Sequence, residues 1–186
     1  MPFIKTGFQG LMIFQPQVFE DSRGYFYESY NKKIFSAEGV SIDFIQDNQA
    51  SSAFGVIRGL HYQLHPFSQT KLIRVLSGAV IDVAVDIRKG SPTYGIAYTI
   101  ELSAENKKQL LIPKGFAHGY SVLSQMAEVI YKCDAFYNKE SEAGIAFNDP
   151  ALDINWNIPA DAAIISEKDQ HHPMLAECKN NFIYGD

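Results

Sequence analysis

Residues 71–87 constrain this chain most: a β-prone run from Lys71 to Leu76, the dipeptide Ser77-Gly78, and a second β-prone run from Ala79 to Ile87. Both runs are short and rich in Val, Ile and Leu, and a Ser-Gly turn between two such runs predicts a hairpin. In the second run Asp82, Ala84 and Asp86 share one face, while Ile81, Val83, Val85 and Ile87 make the other wholly apolar. A strand of that kind needs a sheet to lie in and a core to cover it. Further strands are expected at Gly95 to Leu102, Gln109 to Ile112, Gly119 to Leu123 and Ala127 to Tyr137, with turn residues spaced as in an antiparallel sandwich or barrel. Residues 3–19 read as short strands broken by Gly7, Gly10 and Pro16. Asn31 to Glu38 reads as a helix ending at Gly39, and a helix or two is expected within 165–180.

Thirteen Phe and ten Tyr support sheet over helix, because rings pack well on a pleated surface. The 186 residues show no repeat and no Pro-, Gly- or Ser-rich linker, so one domain spanning 1–186 is expected. A formal net charge of −5 without a run of Lys and Arg disfavours nucleic-acid and membrane partners, which need a positive field. Cys133 and Cys178 lack Cys-x-x-Cys spacing and read as reduced, structural thiols of a cytoplasmic protein. Met1 to Gly10 lacks the continuous apolar core of a signal peptide.

Pro113, Gly115 and His118 have the spacing Pro-x-Gly-x-x-His, which resembles the second motif of the cupin superfamily of jelly-roll barrels. Metal-binding cupins add a first motif of type His-x-His followed by Glu. Here His61 and His65 stand four apart, which on an extended strand separates them by about 13 Å, too far to share one ion. Gln69 and Lys71 occupy the positions where a Glu ligand would follow, and an ammonium repels a cation. No catalytic metal and no cofactor are therefore expected.

Phe19 to Glu28, Gln46 to Ser51, Gly55 to Gln63, Asp86 to Gly95 and Ile112 to Tyr120 resemble, in order, the dTDP-4-dehydrorhamnose 3,5-epimerases. Tyr131-Lys132, Trp156 and Ser166 to Asp169 extend the likeness over nearly the whole chain. The resemblance implies an all-β, cupin-type jelly-roll barrel with a few short peripheral helices, mainly near the C-terminus. It also implies a homodimer that exchanges N-terminal strands and acts on a dTDP-4-keto-6-deoxyhexose. By the same resemblance His61 is the proton acceptor, Asp169 its partner and Tyr131 the proton donor from the opposite face, with Lys71 stabilising an enolate oxygen. Arg23 and Arg58 match residues that hold the nucleotide diphosphate, and forked guanidinium donors suit that task. Glu28, Gln46, Asp47, Asn48, His118, Glu142 and Lys168 match positions that contact substrate.

These residue types also have plain structural uses. Lys71 opens an amphipathic strand, the Tyr131 hydroxyl would be satisfied by backbone, Arg23 would cap a turn, Arg58 would pair with a surface carboxylate, and Asp169 suits the first turn of a helix. His65, His171 and His172 match no catalytic position and read as surface residues. Two other functions stay open: a relative that epimerises only C3 or only C5 or shifts the ketone, and a non-enzymatic nucleotide-sugar-binding barrel. The joint presence of His61, Asp169, Tyr131 and Lys71 favours catalysis, since a binder needs no acid and base together.

Overall fold

The computed structural model describes residues 2–185; Met1 and Asp186, the ends of the expected 1–186 span, lie outside them. Four short strands open the chain: β1 (Phe3–Lys5), β2 (Met12–Phe14), β3 (Phe19–Asp21) and β4 (Gly24–Phe26). Helix α1 (Lys32–Ala37) follows where expected: the Asn31 side chain accepts hydrogen bonds from the Lys33 and Ile34 amides, and Gly39 supplies the left-handed turn beyond its end, at φ 84°. The long strands are β5 (Gln46–Ala53), β6 (Val56–Gln63), β7 (Lys71–Ser77), β8 (Ala79–Asp86), β9 (Ala97–Ser103), β10 (Gln109–Ile112), β11 (Phe116–Val122) and β12 (Met126–Cys133). The chain closes with β13 (Glu142–Gly144), β14 (Ile164–Ile165), helix α2 (Glu167–Gln170) and three 3₁₀ turns.

Two sheets form, ordered β1-β2-β10-β7-β12-β5 and β13-β6-β11-β8-β9, with β14 added parallel to β6 and β3–β4 standing apart as a small hairpin. The architecture is a jelly-roll sandwich; the expected barrel is not closed by hydrogen bonds. The expected hairpin at 71–87 is also corrected. β7 pairs with β10 and β12 in the first sheet, β8 with β11 and β9 in the second, so Ser77-Gly78 carries the chain from one layer to the other. A Cβ at Gly78 would lie 2.1 Å from the Met126 carbonyl oxygen, so only glycine fits this crossing. The two apolar runs meet face to face across the sandwich instead of edge to edge.

Period-2 alternation then sorts the side chains. Ile73, Val75, Leu110, Ile112, Ala127 and Val129 of the first sheet meet Val80, Ala84, Leu102, Phe116, Tyr120 and Val122 of the second in the central core. Each fully buried aliphatic side chain contributes roughly 1.5–3 kcal/mol. Leu72 and Leu111 point outward and are covered by Phe14, Phe35 and Val40. Ile81, Val83, Val85 and Ile87 also point outward, beneath Leu152, Trp156 and Phe182 of the C-terminal segment. The wholly apolar face of β8 thus packs under the tail, and its Asp-bearing face turns into the sandwich.

That inward turn leaves Asp86 fully buried, where it accepts from the Arg88 guanidinium, Ser91 Oγ and Thr93 Oγ1, the last two at 2.6 and 2.7 Å. Arg88 in turn lies over the Phe116 and Tyr184 rings. The Asp86 to Gly95 segment is therefore a structural knot. Among the described residues no helix is long and apolar enough to cross a membrane.

Candidate active site

Along the first sheet the interior face changes from apolar to polar towards one end. On β7 it runs from Val75 through Ile73 to Lys71, and on β12 from Val129 to Tyr131 and Cys133; Lys71 and Cys133 are paired in register, as are Tyr131 and Asn48 of β5. The polar ends converge on a cleft of about 180 Å³ lined by Gln46, Asn48, His61, Gln63, Gln69, Lys71, Tyr131, Tyr137 and Glu142, with Tyr62 at its edge. Burial, the dominant influence, lowers the Lys71 pKa, against the opposing pull of Cys133, Asp82 and Glu142. Burial pushes the Tyr131 hydroxyl up to about 12, so it keeps its proton at neutral pH.

His61 is aimed into this cleft by an irregularity. β11 sets His118 opposite His61 and Tyr120 opposite Arg58, so three steps on β6 face two on β11. Gly59 and Leu60 together face Gly119, and Gly59 has φ 118° with a Cβ on it falling 2.6 Å from the Gly119 Cα. The bulge puts Ile57, Leu60 and Tyr62 on the outer core and leaves His61 and Gln63 on the cleft side.

Asp169 arrives from far along the chain. β14 pairs with β6 through Ile164 opposite Val56 and Ile165 opposite Ile57, after which Ser166 caps α2 by accepting from the Asp169 amide. Asp169, 4% exposed at its side chain, sits 2.6 Å from His61 Nε2 through Oδ1 and accepts the Gly59 amide through Oδ2 at 3.2 Å. Burial raises its pKa, but the His61 hydrogen bond and charge and the Gly59 amide outweigh burial and hold it below the usual carboxylate value. An ionised carboxylate only accepts, so His61 Nε2 carries the proton, and in the neutral form of the ring the lone pair lies on Nδ1, across the ring.

The other expected site residues divide. Glu142 lines the cleft, accepts from Tyr137 Oη at 3.1 Å and pairs with Lys168 at 2.5 Å on the rim. Arg58 donates through Nε to Ser52 Oγ at 3.1 Å, outside the cleft lining. His118 is buried behind His61, hydrogen-bonded to Asp82 at 3.0 Å. Asp47 is not brought to the cleft: neighbours on a strand face opposite ways, so Gln46 and Asn48 turn inward while Asp47 pairs with Lys132 on the other face. Arg23 and Glu28 are not brought there either. Arg23, 88% exposed, pairs with Asp21 on the β3–β4 hairpin, and Glu28 borders a separate groove with Phe19 and Phe26.

Of the three histidines read as surface residues, His65 and His171 are exposed, but His172 is not: its side chain is 12% exposed and its ring stands edge-on to His61 at 5.5 Å. It follows α2 directly, so whatever seats Asp169 also draws His172 inward. Gln63, Gln69 and Tyr137 line the cleft without having been singled out from the sequence; the inward parity of Gln63 with His61 on β6 was the available signal.

A profile of the family described as dTDP-4-dehydrorhamnose 3,5-epimerase matches residues 5–177. A Shigella flexneri dTDP-4-dehydrorhamnose 3,5-epimerase is 52% identical over 170 residues, covering 91% of this chain and 93% of that protein. The crystal structure of the Elizabethkingia anophelis NUHP1 enzyme of that name superposes with a TM-score of 0.90 at 51% identity, over 94% of this chain and 96% of the other. That of the Legionella pneumophila Philadelphia 1 dTDP-6-deoxy-D-glucose-3,5-epimerase, in complex with dTDP-4-keto-L-rhamnose, gives a TM-score of 0.90 at 46% identity, over 94% and 93%. Similarity at that level, end to end in both sequence and backbone, means that the chain belongs to the dTDP-4-dehydrorhamnose 3,5-epimerase family.

Proposed function

We propose that this protein inverts C3 and C5 of dTDP-4-dehydro-6-deoxy-D-glucose, supplying dTDP-L-rhamnose synthesis, by acid–base proton transfer. The observation that carries the reading is the His61–Asp169 pair at 2.6 Å, opening on a cleft that also holds Tyr131 and Lys71. A ketone at C4 acidifies the hydrogens on both neighbouring carbons, because the electron pair left behind delocalises onto oxygen. His61 Nδ1 takes the proton, Asp169 stabilises the imidazolium, the Lys71 ammonium faces the enolate oxygen, and Tyr131 returns a proton from the other side. Delivery to the opposite face inverts the carbon.

Arg58, Gln46, Asn48, Glu142, Lys168 and His118 would hold or frame the sugar nucleotide. Arg23, Glu28 and Asp47 point elsewhere within one chain, and the hairpin bearing Arg23 exposes Phe19, Tyr25 and Phe26. Exposed rings of this kind suit a protein contact. They support a homodimer in which the N-terminal strands of one copy complete the nucleotide site of the other; a monomer by light scattering at micromolar concentration would contradict it. A cytoplasmic location belongs to the same reading, supported by the free thiols Cys133 and Cys178.

Incubation with the dTDP-4-keto sugar in deuterium oxide, followed by proton NMR, tests the reaction. Label entering both C3 and C5 is the expected result. Label at one carbon alone would make it a mono-epimerase, and no label a binding protein.

A further inference from the structure

We propose that His61, Asp169 and His172 form a binding site for one divalent transition-metal ion of the zinc class, and that filling it switches the base off. The inhibitory part rests on His61 being the base; the binding part does not. One ligand atom from each of the three residues lies within 4.8 Å of the other two. His172 Nε2 is buried with no hydrogen-bond partner and stands 3.6 Å from Asp169 Oδ1. An orphaned buried nitrogen is unfavourable, and a coordinated ion would satisfy it.

Two imidazole nitrogens and a carboxylate oxygen suit zinc, whose tetrahedral ligands at 2.0–2.2 Å stand about 3.3 Å apart. The Asp169–His172 separation is close to that already, and the His61–Asp169 contact needs to open by less than about an ångström to match it. Of the three, His61, 33% exposed, is the one that lines the cleft. The ring of His172 is held in place by the β13 backbone: a Cβ at Gly144 would lie 2.5 Å from its Cε1 and Nε2.

Coordination through His61 Nε2 requires that its proton move to Nδ1, with no net proton lost from the neutral ring. Nδ1 then carries N–H where a lone pair must meet the sugar C–H, and abstraction stops. This use of metal is the reverse of catalytic: the ion occupies the histidine–carboxylate contact itself.

The test titrates metal-free protein with Co²⁺ and then Zn²⁺, alongside His172→Phe, which keeps a ring but no ligand, and His172→Gln. One equivalent of Co²⁺ with the intense visible bands of a tetrahedral site, displaced by Zn²⁺ and weakened at least about tenfold in both variants, is expected. Deuterium exchange into the dTDP-4-keto sugar should fall in step with Zn²⁺ occupancy in the unaltered protein, while both variants keep their exchange at the same Zn²⁺ concentration. Absence of stoichiometric binding, equal binding by the variants, or full occupancy with undiminished exchange would each overturn the proposal. If the metal-free protein exchanges no label at all, the epimerase reading fails and the cobalt titration alone decides the site.

Discussion

Two histidine–carboxylate pairs lie side by side, His61 with Asp169 of α2 and His118 with Asp82 of β8, and their histidines are direct partners in the ladder between β6 and β11. Their chemistry is the same and their surroundings differ. His61 is 33% exposed and opens on the cleft; His118 and Asp82 are sealed inside the sandwich. Burial is the main force lowering the His118 pKa, against the raising effect of Asp82. A neutral, enclosed imidazole cannot pass protons to substrate and solvent. Access to the cleft therefore separates the pair proposed to move protons from the enclosed one beside it.

The largest expected effect sets the two histidines against each other. His61→Asn should cut deuterium exchange at C3 and C5 by about 10³- to 10⁴-fold while leaving dTDP affinity, by calorimetry, within about twofold; His118→Asn should cost no more than about tenfold. Equal losses would break the distinction. The carboxylates come next. Asp169→Asn should lower exchange by about 10²- to 10³-fold, because an amide no longer enforces the Nε2 proton. Asp82→Asn should act mainly on stability, weakening the acceptor of a buried imidazole at a cost of about 1–3 kcal/mol, read from chemical denaturation.

Tyr131→Phe sharpens the assignment of the acid. Inversion should fall by about 10²-fold while label still enters on the face served by His61, separable by NMR coupling constants. The smallest effect concerns pH. The buried Lys71 has a pKa below the ordinary lysine value of 10.5, so the charged form it contributes is lost as pH rises through that lowered value. The alkaline limb of the rate profile should lie below 10.5, and Lys71→Arg, which retains its charge, should move that limb upward. An unchanged limb would remove Lys71 from the oxyanion role.

Much of this was legible where local chemistry decides. Asn31 and Gly39 bracket α1, Gln109 to Ile112 is a strand as expected, and Ser166 starts the turn that holds Asp169. The sheet-to-sheet crossing at Ser77-Gly78 was not legible, since a β-branched run looks the same whether its partner lies beside it or across the core. Arg58 and His61 stand an odd number of residues apart, and only the bulge at Gly59 reconciles their positions on β6. Asp47 went the other way: it matches a substrate-contacting position of the family, but strand parity turns it to the face opposite Gln46 and Asn48 within one chain. His172 looked like an exposed tail residue because its burial depends on where the β14 pairing delivers the chain.

The proposed reaction requires the His61 imidazole to reach a hydrogen beside the sugar ketone. Its most direct test is a crystal structure of this protein with the dTDP-4-keto sugar or a stable dTDP-sugar analogue. His61 Nδ1 within about 3.5 Å of C3 or C5, with Asp169 still on Nε2, is the expected result. A sugar bound with both carbons out of reach of that nitrogen would contradict it.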